Sequence, residues 1–394
     1  MIEGKRSLHA RRLFAIVAAA VVLAFGARPA EANGCGAEGE PGAVYTQTQN
    51  PAGNEIVVYE RAPNGALTEQ ARVSTGGVGA ASNPPFGFPI LDSQGGVELT
   101  ANGQLLFAVN AGDDTVSSFR VRSQGGLQLV DREPSGGDLP ISLDTKGKLL
   151  YVLNELSGDV TGFRFTSAGQ ITKIPGSTES LSTPGPDGVA AQIGFASAGH
   201  LLTVTERGTR AIDTFRLDAD DTPRPAEHSA ATGQNPFGFS YRTDGTLIVA
   251  NAGEAGDPAD ASKFHGSASS YDLTTTGELA PIDKAPARQR GTCWTVTTGD
   301  DRYAFMTNTL SASVSRFRIS RSGKLTLLGQ TPTGAGFPAD MALTRDGRYL
   351  YVLVPSVFEG ASHIDAYRVD QGTLTHIGAT PSNLPPGVSG LAAR

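Results

Sequence analysis

The chain of 394 residues has a net charge of −7 and only 18% charged residues, with 49 glycines and 24 prolines. This composition is typical of a turn-rich globular protein, and the lack of a basic surplus argues against nucleic acid as a partner. Two cysteines, Cys35 and Cys293, are too few for a zinc cluster or a disulfide framework. They could pair in an oxidising compartment, or Cys293 could be a buried core residue while Cys35 lies on a flexible tail.

The N-terminus has the pattern of a secretory signal peptide. Arg11-Arg12 precedes an apolar run from Leu13 to Phe25, and Ala30-Glu31-Ala32 follows as a cleavage site. We therefore predict that residues 1–32 are removed and that residues 33–43 form a tail of an exported protein, periplasmic or secreted. The arginine pair also loosely resembles a twin-arginine signal, which leaves the export route open. The apolar run is shorter than the roughly 18 residues of a membrane span, so no span is predicted.

The rest of the chain repeats one unit of four short strands, here named a, b, c and d. Strands b and c are clearest from Leu149 to Phe165, where an apolar run and an alternating run flank a polar turn. The aromatic position of strand c recurs in seven copies, at Tyr59, Phe119, Phe163, Phe215, Tyr271, Phe317 and Tyr367. Their mean spacing of about 51 residues predicts the blades of a β-propeller.

The two ends of the repeated region complete each other. The first copy begins at strand b, Ala43 to Thr46, and the chain ends with a lone strand a from Val388 to Ala393. Joined in one blade, they would close the ring and leave no open sheet edge. The sequence therefore predicts an all-β fold, a seven-bladed β-propeller over residues 44–394.

One face of this disc carries the b-to-c and d-to-a connections, and it holds the polar candidates. Connecting loops carry binding residues more often than the strands that hold them. The candidates for substrate binding on this face are Asn110, Asp113, Asn154, Glu206, Phe86, Phe88, Phe237 and Arg290. The long loop from Asn251 to Gly266 adds His265, for which an acid–base or metal role and a solvated position are both conceivable.

Three b-to-c motifs stand in a characteristic order: Asn110 to Val116, Leu150 to Val160 and Glu206 to Ile212. They resemble motifs of the seven-bladed β-propeller lactonase family, which includes 6-phosphogluconolactonases and carboxymuconate-cycloisomerase-like proteins. The resemblance covers essentially the whole mature chain and implies hydrolysis or formation of a lactone on this face. It also implies that Glu155 and Arg207 are the catalytic residues, orienting a polar substrate.

The chain departs from that family at positions where a histidine would transfer a proton or an arginine would bind an anion. The family reads Pro-His-x-His before the second blade and Pro-Arg-His at two later positions. This chain has Pro85-Phe86-Gly87-Phe88, Pro140-Ile141-Ser142 and Pro236-Phe237-Gly238. Phenylalanine and isoleucine neither transfer protons nor hold anions. We therefore expect no hydrolysis of 6-phosphogluconolactone above the spontaneous rate, and an uncharged or more apolar ligand.

Other interpretations of the same residues stay open. Glu155 and Arg207 could form an ion pair that orders two loops, and the phenylalanines could pack the channel or line an apolar mouth. The asparagines that end strand b, Asn110, Asn154, Asn251 and Asn308, could cap turns. No motif for a cofactor, a calcium loop or a serine nucleophile is present. We expect a monomer that binds a small molecule or a protein. The alternative to a lactonase is a non-catalytic binding or scaffold propeller.

Overall fold

Seven four-stranded antiparallel sheets form the fold, and their connectivity is that of a β-propeller. The computed structural model describes residues 40–80, 91–185, 187–197, 199–253, 265–356 and 362–394. The predicted signal peptide, Cys35, Phe86 and Phe88 lie outside these ranges. The predictions about them are not addressed by the structure.

The strands of the first four blades follow the predicted order. Blade 1 contains β1 (Gly42–Gln47), β2 (Glu55–Arg61) and β3 (Leu67–Ser74), with the last strand of the chain as its strand a. Blade 2 contains β4 (Val97–Leu99), β5 (Leu105–Asn110), β6 (Thr115–Val121) and β7 (Leu127–Pro134). Blade 3 contains β8 (Pro140–Lys146), β9 (Leu149–Asn154), β10 (Asp159–Phe165) and β11 (Ile171–Ser180). Blade 4 contains β12 (Ala190–Phe195), β13 (Leu201–Glu206), β14 (Ala211–Arg216) and β15 (Glu227–Ala230).

The remaining blades repeat the arrangement. Blade 5 contains β16 (Pro236–Tyr241), β17 (Leu247–Asn251), β18 (Ser267–Leu273) and β19 (Leu279–Pro286). Blade 6 contains β20 (Thr292–Thr297), β21 (Tyr303–Asn308), β22 (Ser313–Ile319) and β23 (Leu325–Pro332). Blade 7 contains β24 (Met341–Leu343), β25 (Tyr349–Val354), β26 (His363–Asp370) and β27 (Thr373–Ala379), and β28 (Ser389–Ala393) ends the chain.

The burial pattern of each strand matches its position in the blade. Strand b is buried along its whole length in blades 2, 6 and 7, as an unbroken apolar run requires. The strand c aromatics that define the repeat are all buried, including Tyr59 and Phe163. Strand d alternates between partly buried and exposed residues, as in β3. At the a-to-b turns Gly103, Gly147 and Gly347 take φ angles of 64°, 62° and 67°, which glycine adopts without strain.

The ring closes as the two chain ends predicted. β28 pairs antiparallel with β1, bringing Val44 opposite Ala393 and Thr46 opposite Leu391. The Arg61 guanidinium donates two hydrogen bonds to the Arg394 main-chain oxygen, at 3.2 and 3.1 Å. The prediction of a seven-bladed propeller closed by its C-terminal strand is therefore confirmed.

The register of blade 2 matches that of blade 3. Val97 in β4 pairs with Ala108, as Leu143 in β8 pairs with Val152. This register puts Gln94 to Val97 at the level of Pro140 to Leu143. The connection from β3 to β4 runs from residue 75 to residue 96, and the Pro-Phe-Gly-Phe motif at residues 85–88 lies in the part of it that the structure does not describe.

Helical structure in the described ranges consists of two 3₁₀ turns, Ser123–Gly125 and Thr309–Ser311. No helix in these ranges has the length and apolar character needed to cross a membrane.

Candidate functional site

The b-to-c loops of blades 3 and 4 bring Glu155 and Arg207 together, as the sequence predicted. Glu155 directly follows β9 and Arg207 directly follows β13, so the equivalent positions of neighbouring blades face each other. Nη2 of Arg207 lies 3.7 Å from Oε1 of Glu155, with the Glu155 side chain fully buried and that of Arg207 only 9% exposed. The proximity is confirmed, while the catalytic role stays a prediction.

A third charged residue, Asp92, completes this group. Arg207 Nη1 donates to Asp92 Oδ2 at 2.5 Å, and the Asp92 side chain keeps 17% of its surface exposed. Asp92 belongs to the d-to-a connection before β4, which lies on the same face as the b-to-c loops. Glu155, Arg207 and Asp92 are hereafter the charged triad. Sequence analysis missed Asp92 because no motif marks it; its only signal was its position in a connection of the correct face.

An aromatic stack lies under the guanidinium of the triad. Arg207 Cζ is 4.8 Å from the ring centroid of Phe237, and this ring is 4.6 Å from that of Trp294. Phe237 and Trp294 are each 1% exposed. A cation over an aromatic face is stabilised by the quadrupole of the ring. Phe237 therefore supports the triad from below, which fits the predicted packing role better than direct contact with substrate.

The main chain before β4 crosses the central channel beneath the triad. Gln94 donates from Nε2 to the Thr295 oxygen at 2.7 Å and accepts at Oε1 from the Thr295 amide at 2.9 Å. The Trp294 indole donates to the Ser93 oxygen at 2.8 Å. These bonds join blade 2 to blade 6, which are not neighbours in the ring. Gly238 lies in β16 of blade 5. A Cβ at this position would collide with Gln94 Oε1, so only glycine fits there.

The asparagines that end strand b form hydrogen bonds with the strand c that follows them. Asn110 and Asn154 are completely buried. Asn110 donates to Thr115 and Ser117 at 3.0 and 2.8 Å, and Asn154 donates to Asp159 at 2.8 Å. Asn251 and Asn308 make the same bonds to serines of their own strand c. These contacts favour the turn-capping interpretation and do not support the prediction that Asn110 and Asn154 bind substrate.

Glu206 and Asp113 are also held by their own surroundings. Glu206 takes the place of the buried asparagine in blade 4 and is 0% exposed. Its carboxylate accepts from Thr209 at 2.7 Å, and burial together with the charge of Asp213 raises its pKa. Asp113 accepts from the Val78 amide at 3.1 Å and pairs with Arg132 at 2.8 Å on the surface. Neither residue joins the triad, so the predicted substrate contacts are not supported.

The remaining candidates lie around this face. Arg290 is half-buried before β20, and its amide donates to Ser311 Oγ at 2.9 Å in the b-to-c loop of the same blade. His265 is exposed. Cys293 is buried, and its burial raises the pKa of the thiol to about 12. Residues 254–264 of the loop that contains His265 lie outside the described ranges. Within the described ranges, no group of three or more His, Cys, Asp or Glu side chains is arranged to hold a metal ion.

Solved structures show the same fold in proteins of low identity. A Bacteroides fragilis protein named as a candidate 6-phosphogluconolactonase matches with a TM-score of 0.68 at 20% identity, covering 90% of this chain and 98% of that one. A Bacteroides uniformis protein of the same name matches with a TM-score of 0.69 at 19% identity, covering 89% and 99%. The periplasmic gluconolactonase of Pseudomonas aeruginosa matches with a TM-score of 0.68 at 16% identity, covering 89% and 99%.

The sequence itself carries the family assignment. No curated protein matches the chain significantly. The family model of the seven-bladed β-propeller lactonases matches residues 48–146, 141–261 and 262–386, which is nearly the whole propeller. The chain therefore belongs to the seven-bladed β-propeller lactonase family.

Proposed function

We infer that the protein binds and hydrolyses a neutral lactone on the b-to-c face, at the charged triad. The observation that carries this proposal is the arrangement of Arg207 between a buried carboxylate, Glu155, and a partly exposed one, Asp92. A carboxylate held in place by a guanidinium and still reachable from solvent is suited to accept a proton from water. Family membership and the similarity to a protein named as a gluconolactonase support the reaction class.

The charge of the triad favours a neutral substrate over a phosphorylated one. Two carboxylates and one guanidinium sum to a formal charge of −1, and both carboxylates lie within 4 Å of the guanidinium. A phosphate about 6 Å from one uncompensated charge meets roughly 3 kcal/mol of repulsion per unit charge at an effective dielectric of about 20. The strand positions that carry histidine or arginine in the family are apolar here at Ile141 and Phe237. Gluconolactone is therefore a better probe than its 6-phosphate.

The proposed reaction uses each member of the triad differently. Asp92 accepts a proton from a water molecule as the water oxygen attacks the lactone carbonyl carbon. The charge of Arg207 stabilises the oxyanion that forms, and Glu155 keeps the guanidinium in place. The ring carbon–oxygen bond then breaks, and the proton held by Asp92 passes to the released oxygen. The product is an open-chain hydroxy acid.

One observation favours a second candidate, a binding propeller without catalysis. The Arg207 guanidinium lies on Phe237, which lies on Trp294, and all three are at least nine-tenths buried. Such packing is also what a purely structural ion pair between two loops requires. In that case Arg207 and Glu155 order the loops, and the face recognises a ligand or a protein through other groups.

A steady-state assay against the spontaneous hydrolysis rate tests the proposal. We expect the wild-type protein to accelerate hydrolysis of gluconolactone and to leave the 6-phosphate near its spontaneous rate. Asp92→Asn keeps the size of the side chain and removes the proton acceptor, so kcat should fall by about 10² to 10⁴. Asp113→Asn is the matched control, because Asp113 is also paired with an arginine, Arg132. Its kcat should stay unchanged.

Each alternative has its own result in this assay. Turnover of the 6-phosphate that is lost in Glu155→Ala or Arg207→Ala would restore the lactonase function expected from the family motifs. An Asp92→Asn variant as active as the wild type would remove Asp92 from the mechanism. No turnover of either lactone, with a melting temperature raised by gluconolactone, would establish the binding propeller instead.

Export remains part of the proposal. The signal pattern of residues 1–32 predicts a mature protein that begins near residue 33. The mass of the protein recovered from the periplasm or medium, compared with that of the full chain, tests this prediction.

A further inference from the structure

A second cavity lies at the opposite end of the central channel from the triad. Its volume is about 390 Å³, within the range of small-molecule sites. Its wall consists of the ends of strand a and the a-to-b turns, from Ala101 in blade 2 to Arg345 in blade 7. Gln94, which crosses the channel, also lines this cavity. The cavity is therefore separated from the triad by the crossing segment and belongs to a different face of the disc.

Three carboxyl groups from three blades line this cavity: Glu98, Asp144 and Asp340. Asp144 accepts two main-chain hydrogen bonds, from Phe195 and Thr145, and Asp340 accepts two, from Met341 and Leu391. These two carboxyls therefore tie neighbouring innermost strands together. They have a structural role that does not require a ligand.

Glu98 differs from the other two carboxyls. Its side chain makes no hydrogen bond and no ion pair within the described part of the chain. Burial and the neighbouring charges of Asp144 and Asp340 raise its pKa well above the usual range. Ionisation of a carboxyl group in such a place costs free energy unless a positively charged group lies next to it. Glu98 is partly exposed in the cavity, and it is the one of the three carboxyls that a ligand can bind without displacing a hydrogen bond between strands.

The nearby basic side chains do not pair with Glu98. The Arg345 guanidinium donates to the main-chain oxygens of Thr100 and Ala101. The Lys146 ammonium donates to the Ser197 oxygen at 3.0 Å. Arg345 lines the cavity, whereas Lys146 is the last residue of β8 and does not.

An aromatic wall completes the cavity. Phe195, Phe239 and Tyr241 all line it. The rings of Phe239 and Tyr241 are in edge-to-face contact, with centroids 5.9 Å apart. Aromatic faces attract organic cations and also bury their apolar parts. A carboxyl group opposite aromatic rings is a combination that recognises an ammonium group with an apolar substituent.

We propose that this cavity is a binding site for a small organic ammonium ion, with the ammonium group at Glu98 and its apolar part against Phe239 and Tyr241. The cavity is large enough for a ligand with one ring. An inorganic divalent cation fits less well, because the described residues offer no group of three acidic or histidine ligands in a metal-binding arrangement. This site is independent of the triad and of the lactone reaction proposed there.

Isothermal titration calorimetry at pH 8 tests the site with two ligands of nearly equal shape, benzylammonium and benzyl alcohol. We expect the wild-type protein to bind benzylammonium at least about tenfold more tightly than benzyl alcohol, because only the ammonium group forms a charge-assisted hydrogen bond with Glu98. Glu98→Gln should reduce the affinity for benzylammonium by about the same factor and leave that for benzyl alcohol nearly unchanged. Glu278→Gln is the matched control, because Glu278 is exposed at a c-to-d turn of the same face.

The possible outcomes separate the alternatives. Equal affinity for the two ligands in the wild type would overturn the proposal, and this comparison does not depend on the folding of any variant. Unchanged benzylammonium affinity in Glu98→Gln would also overturn it. Calcium that binds at micromolar concentration, displaces benzylammonium and loses its affinity in Glu98→Gln would assign the cavity to an inorganic cation. Release of protons on binding, measured in buffers of different ionisation enthalpy, would support an ionised Glu98 as the partner of the ligand.

Discussion

Deletion of Val388 to Arg394 should prevent cooperative folding, because it removes the strand that closes the ring. Val388 is fully buried and Leu391 is 5% exposed. Loss of these two apolar side chains removes about 2–3 kcal/mol each. The lost backbone hydrogen bonds between β28 and β1 contribute roughly 1 kcal/mol each, so the total loss exceeds about 5 kcal/mol. Since domains are stable by only about 5–15 kcal/mol, this loss is comparable with the whole free energy of unfolding.

Urea unfolding followed by circular dichroism measures this effect. A point variant in β28 should produce a smaller loss of the same kind. Leu391→Ala should lower the free energy of unfolding by about 2–5 kcal/mol, because Leu391 packs in a buried cluster. Leu156→Ala is the matched control, because Leu156 is 41% exposed. Its change should stay within about 0.5 kcal/mol. A truncated protein with the same urea midpoint as the full chain would refute the role of β28 in closing the ring.

Two further predictions concern the channel. Burial raises the pKa of Asp340 to about 7, so the folded state binds this proton more tightly than the unfolded chain. The resulting stabilisation is present at acid pH and is lost as pH rises towards 7, by up to about 1.4 kcal/mol per pH unit. Urea midpoints measured from pH 5 to 8 should therefore fall less in Asp340→Asn than in the wild type. Parallel curves for the two proteins would contradict this prediction. Gly238→Ala should destabilise the protein, because the added Cβ collides with Gln94. Gly299→Ala is the control and should have little effect, because the space around Gly299 is open. Equal melting temperatures of the two variants would argue against the contact between Gly238 and Gln94.

The sequence by itself determined the fold and two of the three residues of the charged triad. Each strand has a local pattern that repeats, so the aromatic positions of strand c and the orphan strands at both ends were enough to predict seven closed blades. Glu155 and Arg207 follow strand b in successive blades, and the repeat places such positions side by side. Their proximity was therefore a consequence of the repeat and of two local motifs.

Only the tertiary structure decided what surrounds that pair. Asp92 reaches Arg207 across 115 residues, and Gln94 reaches Thr295 across 201. The long connection before β4 has no strand periodicity, so nothing in its sequence marked its path across the channel. The cavity at Glu98 arises in the same way, because its wall is assembled from blades that are distant in the chain. Local patterns specify strands and their order, whereas contacts across the channel depend on how all seven innermost strands converge.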